Sequence, residues 1–413
     1  MNSNIEVWLW LLLVLLPHNT RTAEILSTYG SAIEAAKAMR DGTCPLSAAE
    51  KQRVERTRTR EVRSLINECE RLGIRIITLD DEEYPSLLRN IPDPPIVLFV
   101  KGSLAPLKTL PAISVVGPRQ PSEYGRKVCD RLCSEMARDG IAIISGMAVG
   151  IDACAHRSAV NNGGYTVAVL GCGLTVNYPS ENEELKTAIL ESGGALISEL
   201  LPYASVTQGY FKRRNRMIAG ISCATLIAEA SSRSGALLTA EHAQNQGRML
   251  LCVPPQDIFA ERFYGLSTLI RNGAKPVCDI CDIYSALIAS DERAARLKKL
   301  LATKEKQWMS ALSRSKPIAV KSSIVSVAPT ETPAFEKQEE KASAPDIDIS
   351  QLDTNEAEIV DLITKGVITT DDLIEKTGKK YDEICSIILG LEINEIIVRN
   401  RDGTFSIAQS KAK

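Results

Sequence analysis

Four cations stand within five positions at Lys212, Arg213, Arg214 and Arg216, interrupted only by Asn215. Phe211 precedes them, and the apolar Met217, Ile218 and Ala219 follow at once. Close packing of four cations is unfavourable unless anions neutralise them. A cationic cluster is usually a solvated face. Here the apolar run begins immediately, so part of the cluster belongs at the entrance to a buried helix. Cations that track a phosphate backbone, with an aromatic face under a base, form the combination that holds an unpaired nucleic-acid strand; each stacked base contributes about 1–3 kcal/mol. Core packing is the competing fate of Phe211. Asn215 can bond either a phosphate or its own backbone as a helix cap.

Three further stretches carry candidate residues. In GPRQPSEYG, Gly117 to Gly125, Arg119 offers an anion-seeking fork from a glycine turn, and Ser122 caps the helix that follows. In SGMAVGIDACAH, Gly146 opens a second loop, and Asp152 and His156 stand four apart, a spacing that allows pairing along a helix. A capping and packing motif explains that stretch equally well. Glu229 ends another apolar run, with Ser234 and Gly235 shortly after. No nucleophile–base pair is evident. The three histidines and eleven cysteines show no metal arrangement. Cys278 and Cys281 form a lone C-x-x-C without a second pair at zinc-ribbon spacing, so they read as ordinary thiols. No cofactor is implied.

The elements that position these residues follow from apolar runs at 112–116, 141–145, 166–170, 195–198, 224–228 and 249–253. They are rich in β-branched residues and show little polar alternation, as strands buried on both faces should. Amphipathic stretches separate most of them, which predicts right-handed βαβ crossovers and a parallel sheet. Gly117, Gly146 and Gly171 follow three runs directly. At the carboxyl edge of a parallel sheet, such glycines let backbone amides approach a ligand, and helix N-termini there favour anions. The first strand is followed by GPRQPSEYG rather than G-x-G-x-x-G. The fold class is therefore α/β and Rossmann-like, with little support for dinucleotide binding.

The 413 residues carry a formal net charge of -2, with 44% hydrophobic and 24% charged content. That describes a soluble globular chain of several domains whose nucleic-acid affinity must come from a local patch. Scattered cysteines in odd number fit a reducing cytoplasm. Residues 1–75 read as a helical domain of the sterile-alpha-motif or helix-hairpin-helix kind. Its apolar run Val7–Leu16 is shorter than the roughly 20 residues a membrane helix needs. It lacks a basic leader before it, so a buried helix is favoured over a secretion signal. Six cations between Lys51 and Arg63 face two glutamates and read as a solvated helix face. Residues 76–290 form the Rossmann-like core. Residues 291–352, rich in Ser, Pro, Lys and Glu, read as a flexible linker, with KKLLATKEKQW able to extend a helix. Residues 353–413 give three helices and a hairpin turning at Asp402-Gly403, the order of a winged helix. Its third helix, Tyr381 to Leu391, carries acids rather than arginines, which points to protein contact or a structural role instead of DNA reading.

Seven motifs in order, VVGPRQPSEYGR, IISGMAVGIDACAH, AVLGCGLTVNYPSEN, ISELLP, FKRRNRMIAGIS, EASSRSGALLTAEHA and GLSTLIRNGA, resemble those of the DNA-processing protein A family, also called Smf, over about 75–285. The resemblance implies a protein that is not an enzyme. It implies cooperative binding and protection of single-stranded DNA, loading of the RecA recombinase in natural transformation, and a homodimer. The binding residues it implies are Gly117, Arg119, Gly146, Phe211, Lys212, Arg213, Arg214, Asn215, Arg216, Ser234 and Gly235. The chain departs from the family pattern at Pro118, at Lys212 in place of a proline, at Pro255 in place of a glycine and at Ser267 in place of an asparagine. A second class stays open: a Rossmann-like enzyme that cleaves nucleoside monophosphates through Glu229.

Overall fold

The computed structural model describes residues 4–314 apart from 18 and 20, then 354–365, 370–379 and positions between 384 and 407. The chain divides into two compact units, 1–318 and 319–413.

Among the described residues the first unit holds nine strands; the central ones bury every side chain, while the two at the sheet edges keep exposed residues. The nine are β1 (Arg75–Thr78), β2 (Val97–Gly102), β3 (Ala112–Val116), β4 (Ala142–Ser145), β5 (Thr166–Val169), β6 (Ala195–Ser198), β7 (Ala224–Ile227), β8 (Met249–Cys252) and β9 (Lys275–Pro276). Their spatial order is β1-β2-β6-β5-β4-β3-β7-β8-β9. Every neighbour pair from β6 to β9 is parallel, whereas β2 pairs antiparallel with both β1 and β6. The α/β class with a mostly parallel sheet, read from the runs, is thus the observed one. Strands β4, β5 and β6 spread from one side of β3, and β7, β8 and β9 from the other. Between β3 and β7 the winding reverses, and in open α/β sheets ligands settle in the crevice at that point.

Alternation along β3 assigns the two faces. Ile113 and Val115 share a core with α7 (Glu123–Arg138), α8 (Ile151–Asn161) and α13 (Ile280–Ser290). Ala112 and Val116 share the opposite one with α10 (Gln208–Ile221), α11 (Gly235–Asn245) and α12 (Tyr264–Arg271). A short helix, α6 (Ser86–Arg89), places Leu88 in that second core. Farther along the first face, α9 (Glu183–Glu191) adds Leu185 and Ile189 beside Ala168 and Leu196.

The N-terminal helices α1 (Asn4–Leu15), α2 (Thr22–Tyr29), α3 (Ala32–Arg40), α4 (Ala48–Arg56) and α5 (Thr59–Arg71) join that layer. Helix α1 is apolar all round because it is enclosed: Leu9, Leu11 and Val14 have no exposed surface. It packs with Val97, Phe99 and Leu196 of the sheet, as a buried helix should. Among the described residues no helix is long and apolar enough to cross a membrane.

Order continues past residue 290, where the sequence suggests a linker. Ala294 and Leu297 are fully buried, and α14 (Leu297–Arg314) follows. Polar ties hold this arm: Arg293 donates to the Leu107 carbonyl, Arg296 to the Gly140 carbonyl, and Lys304 Nζ lies 3.0 Å from Glu135 Oε2. Most of the expected linker, 315–352, lies outside the described residues.

The second unit contains α15 (Thr354–Thr364), α16 (Thr370–Thr377) and a hairpin of β10 (Ile397–Arg399) with β11 (Phe405–Ile407), paired antiparallel. Ile359, Leu373, Ile384, Ile388, Ile397 and Phe405 form its core. Much of the expected third helix and the hairpin turn lie outside the described residues.

Candidate nucleic-acid interface

The cationic run is the middle of one helix. Helix α10 begins after Thr207 and ends at Ile221, so Asn215 is an interior residue and not a cap. Helical periodicity divides the run. Phe211, Arg214, Asn215 and Ile218 recur at the spacing of a single stripe, and with Lys212 they line a cleft. Arg213, Arg216, Met217 and Gly220 follow the other stripe and do not line it.

The cleft lies over the carboxyl edge of the sheet at the reversal between β3 and β7. Its volume is about 430 Å³. Gly117, Pro118 and Arg119 come from the loop after β3, Ala148 from the β4–α8 connection and Asp152 from the first turn of α8, and Ser231 and Ser234 from the loop after β7, with Gly235 opening α11. A recess of about 140 Å³ adjoins it, sharing Arg119, Ala148, Phe211 and Arg214 and adding Gly146, Gly171, Tyr178 and Glu181. Of the residues singled out from sequence, Gly117, Arg119, Phe211, Lys212, Arg214, Asn215, Ser234 and Gly235 meet at the cleft, and Gly146 at the recess. Arg213 and Arg216 do not join them.

Each side chain has a local reason for its place. Arg214 is 6% exposed. Its Nη1 donates to the Gly146 carbonyl at 2.6 Å and to the Val169 carbonyl, so it ties the ends of β4 and β5 together. Gly146 leaves it room, since a Cβ there would overlap the guanidinium. Burial lowers the Arg214 pKa and the positive field of Arg119 adds to this, while Asp152 opposes both. Arginine keeps its proton under such a shift. Its Nε is buried with no hydrogen-bond partner among the described residues, so the floor of the cleft carries unspent donor capacity. Phe211 rests on Gly171, where a Cβ would stand 2.6 Å from the ring. The Tyr178 ring is 5.3 Å from it at 44°, and the Arg214 guanidinium 6.0 Å away. Tyr178 escapes sequence reasoning because it stands in a loop more than thirty residues upstream. Lys212 and Arg119 are exposed at the rim.

Arg216 has another task. It grips Glu199 in two parallel bonds of 2.7 and 2.8 Å and reaches Asp93 at 3.1 Å. Burial works against its charge, yet Glu199 and Asp93 outweigh burial and raise its pKa. Arg213 is exposed, and its charge reaches Glu199 instead of the cleft. Arg216, expected at a ligand, is instead held by Glu199, which is buried, and by Asp93, which is partly exposed, and that use of its fork speaks against a phosphate contact.

Two other readings change. Ser122 does cap α7, accepting from Gly125 N at 2.9 Å. Glu229 occupies the same helix start, accepting from Ser122 N and Oγ and from Arg262 Nε and Nη2 at 3.1 and 2.8 Å. Four donors on a carboxylate that is 2% exposed make it a structural anion. Asp152 and His156 do not pair: Asp152 accepts from Ala148 N at 3.3 Å, and His156 Nδ1 meets the Thr166 hydroxyl at 2.7 Å. Burial, then the field of Arg214, push the His156 pKa down to about 3, so it is a neutral core residue. Among the described residues no group of three His, Cys, Asp or Glu could hold a metal ion.

A cation-lined crevice at the switch point of a mostly parallel sheet is the place where Rossmann-like proteins take their ligands. Residues 75–288 match the family of DNA recombination-mediator protein A, about half of the chain, and the chain belongs to that family. It is 37% identical over 215 residues to Protein Smf of Synechocystis, covering 51% of this chain and 54% of that protein. To the DNA processing protein DprA of Bacillus subtilis it is 36% identical over 215 residues, covering 52% and 72%. The chain thus spans about half the length of the cyanobacterial relative. The crystal structure of DNA processing protein A from Streptococcus pneumoniae superposes with a TM-score of 0.61 and 30% identity, covering 69% of this chain and 98% of that one.

Proposed function

We propose that the chain binds single-stranded DNA in the cleft and mediates recombination with it, without catalysis. The observation that carries this reading is the convergence of Arg119, Lys212 and Arg214 with Phe211 from separate segments at one crevice. Rim cations hold phosphates, the buried guanidinium sets a positive floor, and Phe211 with Tyr178 gives a base an aromatic face. The finer role is protection of incoming DNA and loading of the RecA recombinase during natural transformation, in the cytoplasm and as a homodimer. The second unit serves as a winged helix for protein contact. Family membership and motif order support this role.

Fluorescence anisotropy of a labelled single strand tests the reading. Affinity should fall with salt, log K changing by about -0.7 per phosphate per decade of salt. Arg119→Ala with Lys212→Ala should weaken binding about tenfold or more and flatten that slope. A duplex bound as tightly as the single strand, or a double variant indistinguishable from the parent, would sink it. The nucleotide-cleaving alternative needs Glu229 as a free base, and its four donors speak against that.

A further inference from the structure

A second groove opens beside the cleft and shares Arg119 with it. It runs between α7 and α8 and has a volume of about 730 Å³. Its floor is Gly150, Ala153 and Cys154, small groups that leave the trough open. Arg126 and Lys127 rise from α7 and Arg157 from α8, all exposed.

The charge balance favours an anion. Four lining cations, Arg119, Arg126, Lys127 and Arg157, face two lining acids, Asp130 and Glu181. Asp130 already accepts from Ser158 Oγ at 2.6 Å. Lys127 is 2.6 Å from Glu123, an exposed pair that contributes little. Glu123 also feels Arg126. Among the described residues neither Arg126 nor Arg157 has an ion pair. The two helices are held firmly here: Asn162 Nδ2 donates to Ser134 Oγ at 3.0 Å, and Cys154 Sγ to the Arg126 carbonyl at 3.7 Å. The cations therefore stand on a rigid frame.

We propose that this groove is the continuation of the strand path: DNA seated in the cleft turns over Arg119 and lays its phosphates along Arg126 and Arg157. The proposal rests on the cleft reading above. The groove lacks an aromatic face among its lining residues, so it holds the backbone and leaves the bases to solvent. Arg119, common to both cavities, is the corner.

Strand length separates this proposal from the cleft reading. Two labelled oligothymidylates are titrated against the whole chain, one of about 6 nucleotides and one of about 20. The Arg126→Ala, Arg157→Ala double variant should bind the short strand like the parent. It should bind the long one about tenfold more weakly, with a salt slope shallower by about 1.4, two phosphates' worth. Equal loss at both lengths, or no loss at either, overturns the groove while the cleft stands, provided Arg119→Ala with Lys212→Ala still weakens the short strand. If that control also fails, both ideas fall together. Both groove positions are exposed, and matching thermal melts of variant and parent show that any change lies in binding.

Discussion

Arg214 and Arg216 stand two residues apart on one helix, equally buried, and differ in what they hold. Arg214 spends one nitrogen on two carbonyls and keeps an unpartnered Nε under the cleft. Arg216 is absorbed by Glu199 and Asp93. Removing one member of a buried pair strands the other, which costs about 3–5 kcal/mol. Arg216→Ala should therefore lower unfolding stability by about that much in urea titration. Lys212→Ala, an exposed change, should move it by less than about 0.5 kcal/mol while weakening DNA binding. A mild Arg216→Ala phenotype would mean the ion pair is not the anchor described. The existence of a cationic site was legible in the sequence, from the density of charge against an apolar run. The division of labour was not, because the acids that claim Arg216 lie at positions 93 and 199. Glu229 misled for the same reason: its partners Ser122 and Arg262 are remote in sequence.

At the scale of elements, strand ends do the positioning. Gly146 admits a guanidinium and Gly171 admits a phenyl ring. The sequence marks both glycines as strand-end residues and suggests backbone approach to a ligand; the structure shows them making room for side chains of α10. A methyl at Gly171 must displace Phe211. Gly171→Ala should cost about 1–3 kcal/mol of single-strand affinity, and the melting temperature should hardly move because the ring is only partly buried. Anisotropy alongside calorimetry reads both; unchanged affinity would show that Phe211 is not a stacking platform. Six of the seven parallel strands, β3 to β8, were readable because each lies in a short apolar run; β9, Lys275–Pro276, has no such run. The 3.6-residue stripe of α10, which separates Arg214 from its neighbours, was equally present in the sequence, but a contiguous run of charge invites counting rather than projection onto a helix.

At the scale of the whole molecule, the first helices are part of the core. Helix α1 shares a cluster with Val97, Phe99 and Leu196, so a chain lacking residues 1–40 exposes that face of the sheet. It should melt at a lower temperature and less cooperatively than the parent by circular dichroism; an unchanged transition would make the N-terminal helices an independent appendage. Composition pointed to a local patch on a nearly neutral chain; Arg119, Lys212 and Arg214 meet at the cleft, and Arg119, Arg126, Lys127 and Arg157 line the groove. The anchoring of 291–304 was hidden, because its ties run to backbone carbonyls at 107 and 140. One small cavity is bounded by Leu12, Leu16, Asn19, Asp93, Glu199 and Arg216, so the N-terminal helices brace the back of the same α10 whose front lines the cleft. Translation begun internally at Met39 would thus deliver every cleft residue without α1 and α2, the helices that line that cavity: a product complete in its motifs whose α10 has lost its rear support.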